Sequence, residues 1–491
     1  MPWFGRRLSP GSIALARLSA AGIAAAIVVS CSVNPATGKR QLSLISEQQE
    51  IAMGREADQQ ISQQLGLYDD DELQRYLQDL GGRLAAESER PDLPWTFRVV
   101  DDEVVNAFAL PGGFIYVTRG LLAHMGAEAE LVGVLGHEIG HVTARHSVNQ
   151  MSKGMLAQLG LGVGTVLSPE FASVAGLAQT GLSLLFLKYG RDDERQSDEL
   201  AFRYSVRAGY DPRSLVDVFE VLERVSARSQ GAGNLPGWLL THPQPEARRE
   251  QAEKVVRESD VAFDDLRVNR ESFVRRLDGV VFGADPRQGY FRDQRFLHPE
   301  MRFELRFPRS WKTMNLRQAV VGQQPDGEAV IALTLAAESD PQAAARAFAA
   351  QGINPVGEWR DRIGGQRAVS YFFGADLQGT PIGGLAVFVE HQDRVFRMLG
   401  YTTEAAFDRY RDQFEESLDS FRRLEDRRAL SVQPLRVEIE RIERPTTIEE
   451  IWKRYDAPIS VEDLALLNNV DPDQRLEAGA WVKRVVGEPP Q

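Results

Sequence analysis

The chain has 491 residues, 43% hydrophobic and 26% charged, enough apolar content to bury several cores, which excludes a wholly disordered chain. Its 70 acidic residues outnumber 57 basic ones, a net charge of -13 that argues against nucleic-acid binding through a basic surface. The single cysteine excludes an internal disulfide framework.

Residues 1–30 read as an export signal. Arg6 and Arg7 precede an apolar run from Leu18 to Val29, about a dozen residues and too short for an ordinary membrane span. The run ends at Val28-Val29-Ser30-Cys31, which resembles a bacterial lipobox with Val in place of the usual Leu. The expectation is cleavage before Cys31 and lipidation of its thiol, a membrane anchor on the periplasmic side. Ser32, where an Asp would retain a lipoprotein in the inner membrane, fits outer-membrane sorting by resemblance to known lipoproteins. Residues 31–46 are polar and turn-rich and read as a tether.

Amphipathic patterns predict helices from Glu47 to about Gly66 and from Asp71 to about Glu87, the second with an apolar stripe of Leu73, Leu77, Leu80 and Leu84. Pro94–Asp101 and Gly113–Thr118 read as strands, with a turn at Pro111-Gly112-Gly113. Leu131, Val132, Leu135, Ile139 and Val142 recur at helical spacing and predict a helix from about Ala127 to Asn149. This helix carries His137-Glu138-Ile139-Gly140-His141. Positions four apart share a helical face, so His137 and His141 can aim two imidazoles at one ion, with Glu138 turned about 100° beside it. A catalytic zinc needs a third protein ligand and one open position. A third histidine six residues further on is absent: Ser147 stands there, and His146 falls one residue short. Downstream, Glu194 and Asp198 are i and i+4 on a predicted helix. Glu194 is available as a ligand and Asp198 to orient a ligand histidine, or Glu194 is a solvated charge in an acidic, arginine-rich stretch.

Phe171 to Leu187 carries no charge over about 17 residues but is diluted by Gly176, Gln179, Thr180, Gly181 and Ser183, and Ser168-Pro169-Glu170 breaks the stretch before it. This predicts a buried or interfacial hairpin covering the cleft in place of a membrane span. Asp211-Pro212 starts a helix reaching about Arg228, a glycine-rich loop follows over 229–237, and Thr241-His242-Pro243 precedes a helix with Arg248 at its start. His124, His146, His298 and His391 read as ordinary loop histidines.

Four blocks now stand in order: Asn106-Ala-Phe-Ala-Leu-Pro-Gly-Gly-Phe114 with its continuation to Leu122, His137-Glu-Ile-Gly-His141, Glu194-x-x-x-Asp198, and Thr241-His242-Pro243. Together they resemble the zinc metallopeptidase family that includes HtpX, BepA and the CAAX prenyl proteases, over roughly residues 32 to 260. The resemblance implies one Zn2+ on His137, His141 and Glu194, Glu138 as the base acting on a zinc-bound water, and Asp198 behind a ligand. It further implies that Asn106, Ala107, Gly113 and Phe114 shape a rim where an edge strand pairs with extended substrate. For His242 it leaves two roles, donor to the developing oxyanion or resting-state occupant of the open zinc position.

From about Gly289 the pattern changes. Met301–Phe307 alternates as a half-buried strand, Ala329–Leu335 and Gly384–Val389 read as strands, and Pro341–Gln351 and Glu404–Phe421 as helices. This resembles the small PsbP/Mog1-like α/β sandwich. At the end, Thr446–Tyr455 and Ser460–Asn468 read as short helices before a strand at Trp481-Val482. They resemble a LysM module, which implies peptidoglycan as ligand, although Arg444-Pro445-Thr446 replaces the usual opening. The expected fold is α+β: a mainly helical zincin peptidase domain with a small sheet over 47–280, the α/β sandwich over 289–428 and a LysM-like βααβ module over 434–487. The expected function is a zinc metalloendopeptidase of the bacterial envelope cleaving misfolded or unassembled envelope proteins. The alternative is an assembly factor or chaperone whose protease site is mostly gated.

Overall fold

A computed structural model describes residues 31–158, 189–230, 238, 241–242, 245–377 and 379–490. The export-signal stretch and most of the 155–187 stretch lie outside the described residues. The described chain is α+β and divides into two compact units: residues 1–280, 438–455 and 459–484, and residues 281–437, 456–458 and 485–491. No helix among the described residues is long and apolar enough to cross a membrane.

The first unit begins with a short antiparallel pair, β1 (Cys31–Val33) and β2 (Arg40–Leu42). Helix α1 (Glu47–Gln64) starts at a capping box in which Ser46 and Gln49 satisfy each other's backbone. Helix α2 (Asp71–Ala85) starts on the Asp70 side chain and buries the predicted leucine stripe. Strands β3 (Thr96–Val100), β4 (Ala107–Leu110) and β5 (Phe114–Thr118) form one sheet in the order β3-β5-β4. Strand β5 pairs parallel with β3 and antiparallel with β4. The predicted edge strand 113–118 is therefore the central strand, with both edges paired; the sheet edge on the other side of β5 is β4, which sequence patterning did not mark because all four residues are buried.

After α3 (Arg119–His124) comes α4 (Glu128–Thr143), every residue of which is buried. The predicted helix to Asn149 is broken. Arg145 adopts φ 59°, a left-handed conformation that ends α4, and α5 (His146–Gln158) starts afresh. Tertiary bonds hold this strained residue in place: its Nε donates to Glu50 Oε2 at 2.9 Å and its NH2 to the Ile45 carbonyl at 2.8 Å. Glu50 also accepts from Arg90 NH1 at 2.8 Å, and the same guanidinium donates to the Val142 carbonyl near the end of α4. Helices α6 (Arg191–Arg207) and α7 (Ser214–Gln230) pack on α4, followed by α8 (Pro245–Glu258) and α9 (Arg270–Arg276).

The C-terminal stretch of this unit has β-α-α-β order: β17 (Arg436–Arg441), α12 (Ile448–Tyr455), α13 (Val461–Leu467) and β18 (Trp481–Val486), the two strands paired. It shares the first unit's core: Leu466 is buried there, and Lys483 Nζ donates to the carbonyls of Ala123 and Met125 at 2.7 and 2.8 Å.

The second unit is built on a seven-stranded antiparallel sheet in the order β12-β13-β14-β15-β11-β10-β9. These strands are β9 (Lys312–Leu316), β10 (Ala319–Gln323), β11 (Ala329–Leu335), β12 (Asn354–Ile363), β13 (Gln366–Leu377), β14 (Thr380–His391) and β15 (Arg394–Thr403). Helix α10 (Pro341–Ala349) covers one face with Ala344, Ala345 and Phe348, and α11 (Phe407–Asp419) the other with Tyr410, Phe414 and Leu418. A smaller sheet of β6 (Tyr290–Arg292), β7 (Arg295–His298), β8 (Phe303–Arg306) and β16 (Arg422–Arg423) joins the α11 side.

Candidate metal centre

Helix α4 and helix α6 approach through two glycines. A Cβ at Gly136 would stand 3.0 Å from the Ala201 Cα, and one at Gly140 would stand 3.1 Å from the Ser197 Cα. The close crossing brings Glu194, on the first turn of α6, against the histidine face of α4. His137 Nε2 and His141 Nε2 are 2.9 Å apart, and the Glu194 carboxylate lies 3.6 and 3.5 Å from them. His242 completes the group: its Nδ1 is 3.3 Å from His137 Nε2 and 3.0 Å from Glu194 Oε1. One ligand atom from each of the four residues falls within 4.8 Å of the others, and all four side chains are buried. Two imidazoles and a carboxylate with a fourth nitrogen beside them fit one zinc ion, as two-histidine, one-carboxylate catalytic sites do.

The surroundings fit the same ion. Both Glu138 oxygens are buried without a hydrogen bond, an expensive arrangement unless a partner arrives. Burial pushes this carboxyl up to about 7, with His242 opposing the shift; His242 Nε2 stands 3.5 Å from Glu138 Oε1. Asp198 accepts from His137 Nδ1 at 2.8 Å, which leaves His137 Nε2 facing the cluster. Burial raises Asp198, but Arg248 and His137 together outweigh it and hold the carboxyl at about 2. Burial pulls His137 down to about 4, with Arg248 adding to the effect. His242 is held above its ordinary range although burial lowers it, because Glu194 and Glu138 face it.

Arg248, marked in the sequence only as the start of a helix, is buried at the heart of the centre. Its guanidinium lies 2.9 Å from Glu194 Oε2 and bonds Asp198 Oδ1 at 2.6 Å, with the Phe219 ring 4.6 Å beneath it. Its spacing of six residues from His242 was the one signal that it shares the site. Trp238 stacks on His242 with ring centroids 4.3 Å apart, and Tyr189 on His141 at 3.9 Å. The four loop histidines are corrected. His146 is buried against His141, their Nδ1 atoms 3.0 Å apart; His124 bonds the Gly120 carbonyl within α3; His298 and His391 end strands and are buried. Ala107 and Asn106 stand at the start of β4, which packs beside α4. Gly113 and Phe114 lie elsewhere in the sheet: Gly113 packs on Trp95, and Phe114 enters the paired central strand against Gly54 of α1. Nothing of the Cys31 side chain is among the described features.

Fold and site together define a metallopeptidase-type centre, a helix-borne His-Glu-x-x-His completed by a carboxylate from a second helix. Residues 71–256 match the family described as Peptidase family M48. The chain is similar to the beta-barrel assembly-enhancing protease of Yersinia pestis, 31% identical over 44% of this chain and 46% of that protein. It is similar to the protein of the same name from Escherichia coli (strain K12), 28% identical over 48% of this chain and 49% of that one. It is also similar to the mitochondrial metalloendopeptidase OMA1 of Arabidopsis thaliana, 31% identical over 46% and 44%. The chain thus spans about half the length of these curated relatives. The solution structure of cyanobacterial PsbP from Synechocystis overlaps 26% of this chain and 91% of its own at 15% identity, with a TM-score of only 0.23.

Proposed function

We propose that this protein is a zinc-dependent metalloendopeptidase. The observation that carries the reading is the buried cluster of His137, His141, Glu194 and His242 beside the Glu138 carboxylate, whose buried oxygens make no hydrogen bond. When bound, zinc supplies Lewis acidity and a nucleophilic water near neutral pH. His137, His141 and Glu194 would hold the ion, and Asp198 fixes the His137 tautomer. Glu138 would take the proton of the attacking water and return it to the leaving amine, a base and acid in turn. The edge strand β4, from Asn106 and Ala107 onward, binds extended polypeptide through its backbone, which gives affinity with little sequence selectivity.

His242 would occupy the remaining ligand position at rest. Its Nδ1 lies 3.3 Å from His137 Nε2 and 3.0 Å from Glu194 Oε1, among the atoms that would hold the ion. Its displacement opens the site. The same observation favours the second reading, in which a mostly closed protease serves assembly. The relatives' printed names, beta-barrel assembly-enhancing protease among them, support unassembled envelope proteins as the substrate class. Within this proposal the chain is a periplasmic outer-membrane lipoprotein anchored at Cys31. Its α/β sandwich is PsbP/Mog1-like, and its 434–487 stretch is a LysM-like module with peptidoglycan as ligand.

Cleavage of unfolded casein by the zinc-loaded protein tests the reading. Glu138→Gln is expected to lose roughly 100- to 10,000-fold in rate while keeping its zinc, and His242→Ala to cleave faster than the unaltered protein. Full cleavage by Glu138→Gln would contradict the mechanism. Slower cleavage by His242→Ala would reassign that residue to the oxyanion. Normal envelope assembly in cells carrying Glu138→Gln would favour the assembly reading.

A further inference from the structure

We infer that His146 is a positioning residue for the ligand His141, acting through a chain of ordered protons that ends at Gln196. The inference rests on the metal centre proposed above.

The two ligand histidines are backed differently. His137 Nδ1 faces a carboxylate, Asp198. His141 Nδ1 faces no carboxylate; its hydrogen-bond neighbour is His146 Nδ1, at 3.0 Å. With Nε2 of His141 directed at the cluster, its proton sits on Nδ1 and needs an acceptor. His146 can accept only if its own Nδ1 is bare, which places the His146 proton on Nε2. That nitrogen is 3.0 Å from Gln196 Oε1. Asn34 Nδ2 points at the same oxygen from 3.5 Å, which fixes Gln196 as the acceptor. Donor and acceptor roles are thus consistent along His141, His146 and Gln196. Two further neighbours do not disturb the order. The Ser197 hydroxyl is 3.4 Å from His146 Nδ1, and Asp193 Oδ1 is 3.7 Å from Nε2.

The backbone is shaped for this contact. On an unbroken helix, residue 146 would stand five positions past His141 and face away. The left-handed Arg145 breaks α4 and turns His146 back onto His141. The Tyr189 ring, stacked on His141, and its hydroxyl, 2.8 Å from Ser147 Oγ, close the other side. A neutral imidazole backs His141 without adding negative charge to a site that already holds Glu194, Glu138 and Asp198. An outer partner of this kind tunes ligand orientation and metal affinity, and its loss typically costs 10- to 100-fold in affinity.

The test is zinc affinity of the full protein by chelator competition. His146→Leu removes the acceptor and His146→Asn keeps an oxygen close to the Nδ1 position. The expected result is a roughly 10- to 100-fold weaker zinc complex for His146→Leu and a change of no more than about threefold for His146→Asn. Unchanged affinity in His146→Leu would overturn the inference, as would equal losses in both variants, which would mark a packing role. If His146→Leu fails to fold, Gln196→Leu decides. It leaves His146 in place and removes the group that sets its tautomer, so zinc binding should weaken several-fold; unchanged affinity overturns the inference. Failure of the unaltered protein to bind zinc would instead remove the metal centre itself.

Discussion

The charges around the ligands form one balanced set. Arg248 lies against Glu194 and Asp198 and between the faces of Phe219 and Trp238. Against burial, Arg248 holds Asp198 low, and His242 together with Arg248 holds Glu194 below its ordinary range; an ionised carboxylate is the form that ligates or orients. Asp198→Asn keeps the shape and removes the charge behind His137. We predict a 10- to 100-fold loss of zinc affinity with the fold intact, measured by chelator competition beside a circular-dichroism spectrum. In the second unit, His298 gives a prediction with a definite sign. Burial, helped by Arg394, lowers this imidazole from 6.5 to about 4, and its Nδ1 accepts from the Met301 amide at 3.2 Å. A pKa below the unfolded value contributes stability that is complete above pH 6.5 and is lost as pH falls through about 4. The imidazole should therefore remain neutral in an NMR titration down to about pH 4. His298→Asn, which keeps an acceptor, should lose less stability over that range. A His298 titration near 6.5 would contradict the account.

At the scale of elements, the crossing of α4 and α6 decides whether the ligands meet. Gly140 and Gly136 permit the contact, and a methyl at either would press on the backbone of α6. Gly140→Ala is expected to cost about 1–3 kcal/mol, as overpacking does, and to weaken zinc by moving Glu194 away from the histidines. Thermal unfolding and zinc titration check both effects, and an unaltered zinc affinity would show that the helices are not so tightly set. This scale also shows what the sequence made legible. His137, Glu138 and His141 were readable because helical geometry alone puts them together. Glu194 needed a family pattern, since nothing local brings residue 194 to residue 137. His146 was misread because no glycine or proline marks the break at Arg145; the break is enforced by Glu50 and the Ile45 carbonyl, about a hundred residues away. The central place of β5 was hidden for a related reason. Ala107–Leu110 is buried on both faces and shows no alternation. The long strands β12 and β13 were missed as well: β12 is almost wholly exposed and lacks an apolar rhythm.

Over the whole first unit, the C-terminal stretch is tied to the start of α4. Lys483 reaches into the core and donates to the carbonyls of Ala123 and Met125, just before α4, while Arg224 donates to the Val470 carbonyl at 2.7 Å and Arg228 pairs with Asp463. Burial pulls the Lys483 amine far below the ordinary lysine range, with Glu130 opposing the shift. Lys483→Met would leave both carbonyls without this donor, at about 1–3 kcal/mol for an unsatisfied buried group. Hydrogen exchange at residues 123–130 should speed up in that variant, and unchanged protection there would contradict a role in bracing α4. The sequence pattern identified the two short helices and the last strand as a unit but gave no sign of what they rest on, because a lysine in a strand reads as a surface residue.

The central claim is that His137, His141 and Glu194 bind one zinc ion and that Glu138 does not. Zinc stoichiometry of the purified protein after dialysis, by elemental analysis, tests it directly. The account predicts about one zinc per chain in the unaltered protein and in Glu138→Gln, with near-complete loss in His141→Ala and Glu194→Ala. Full zinc in Glu194→Ala, or none in the unaltered protein, would contradict it.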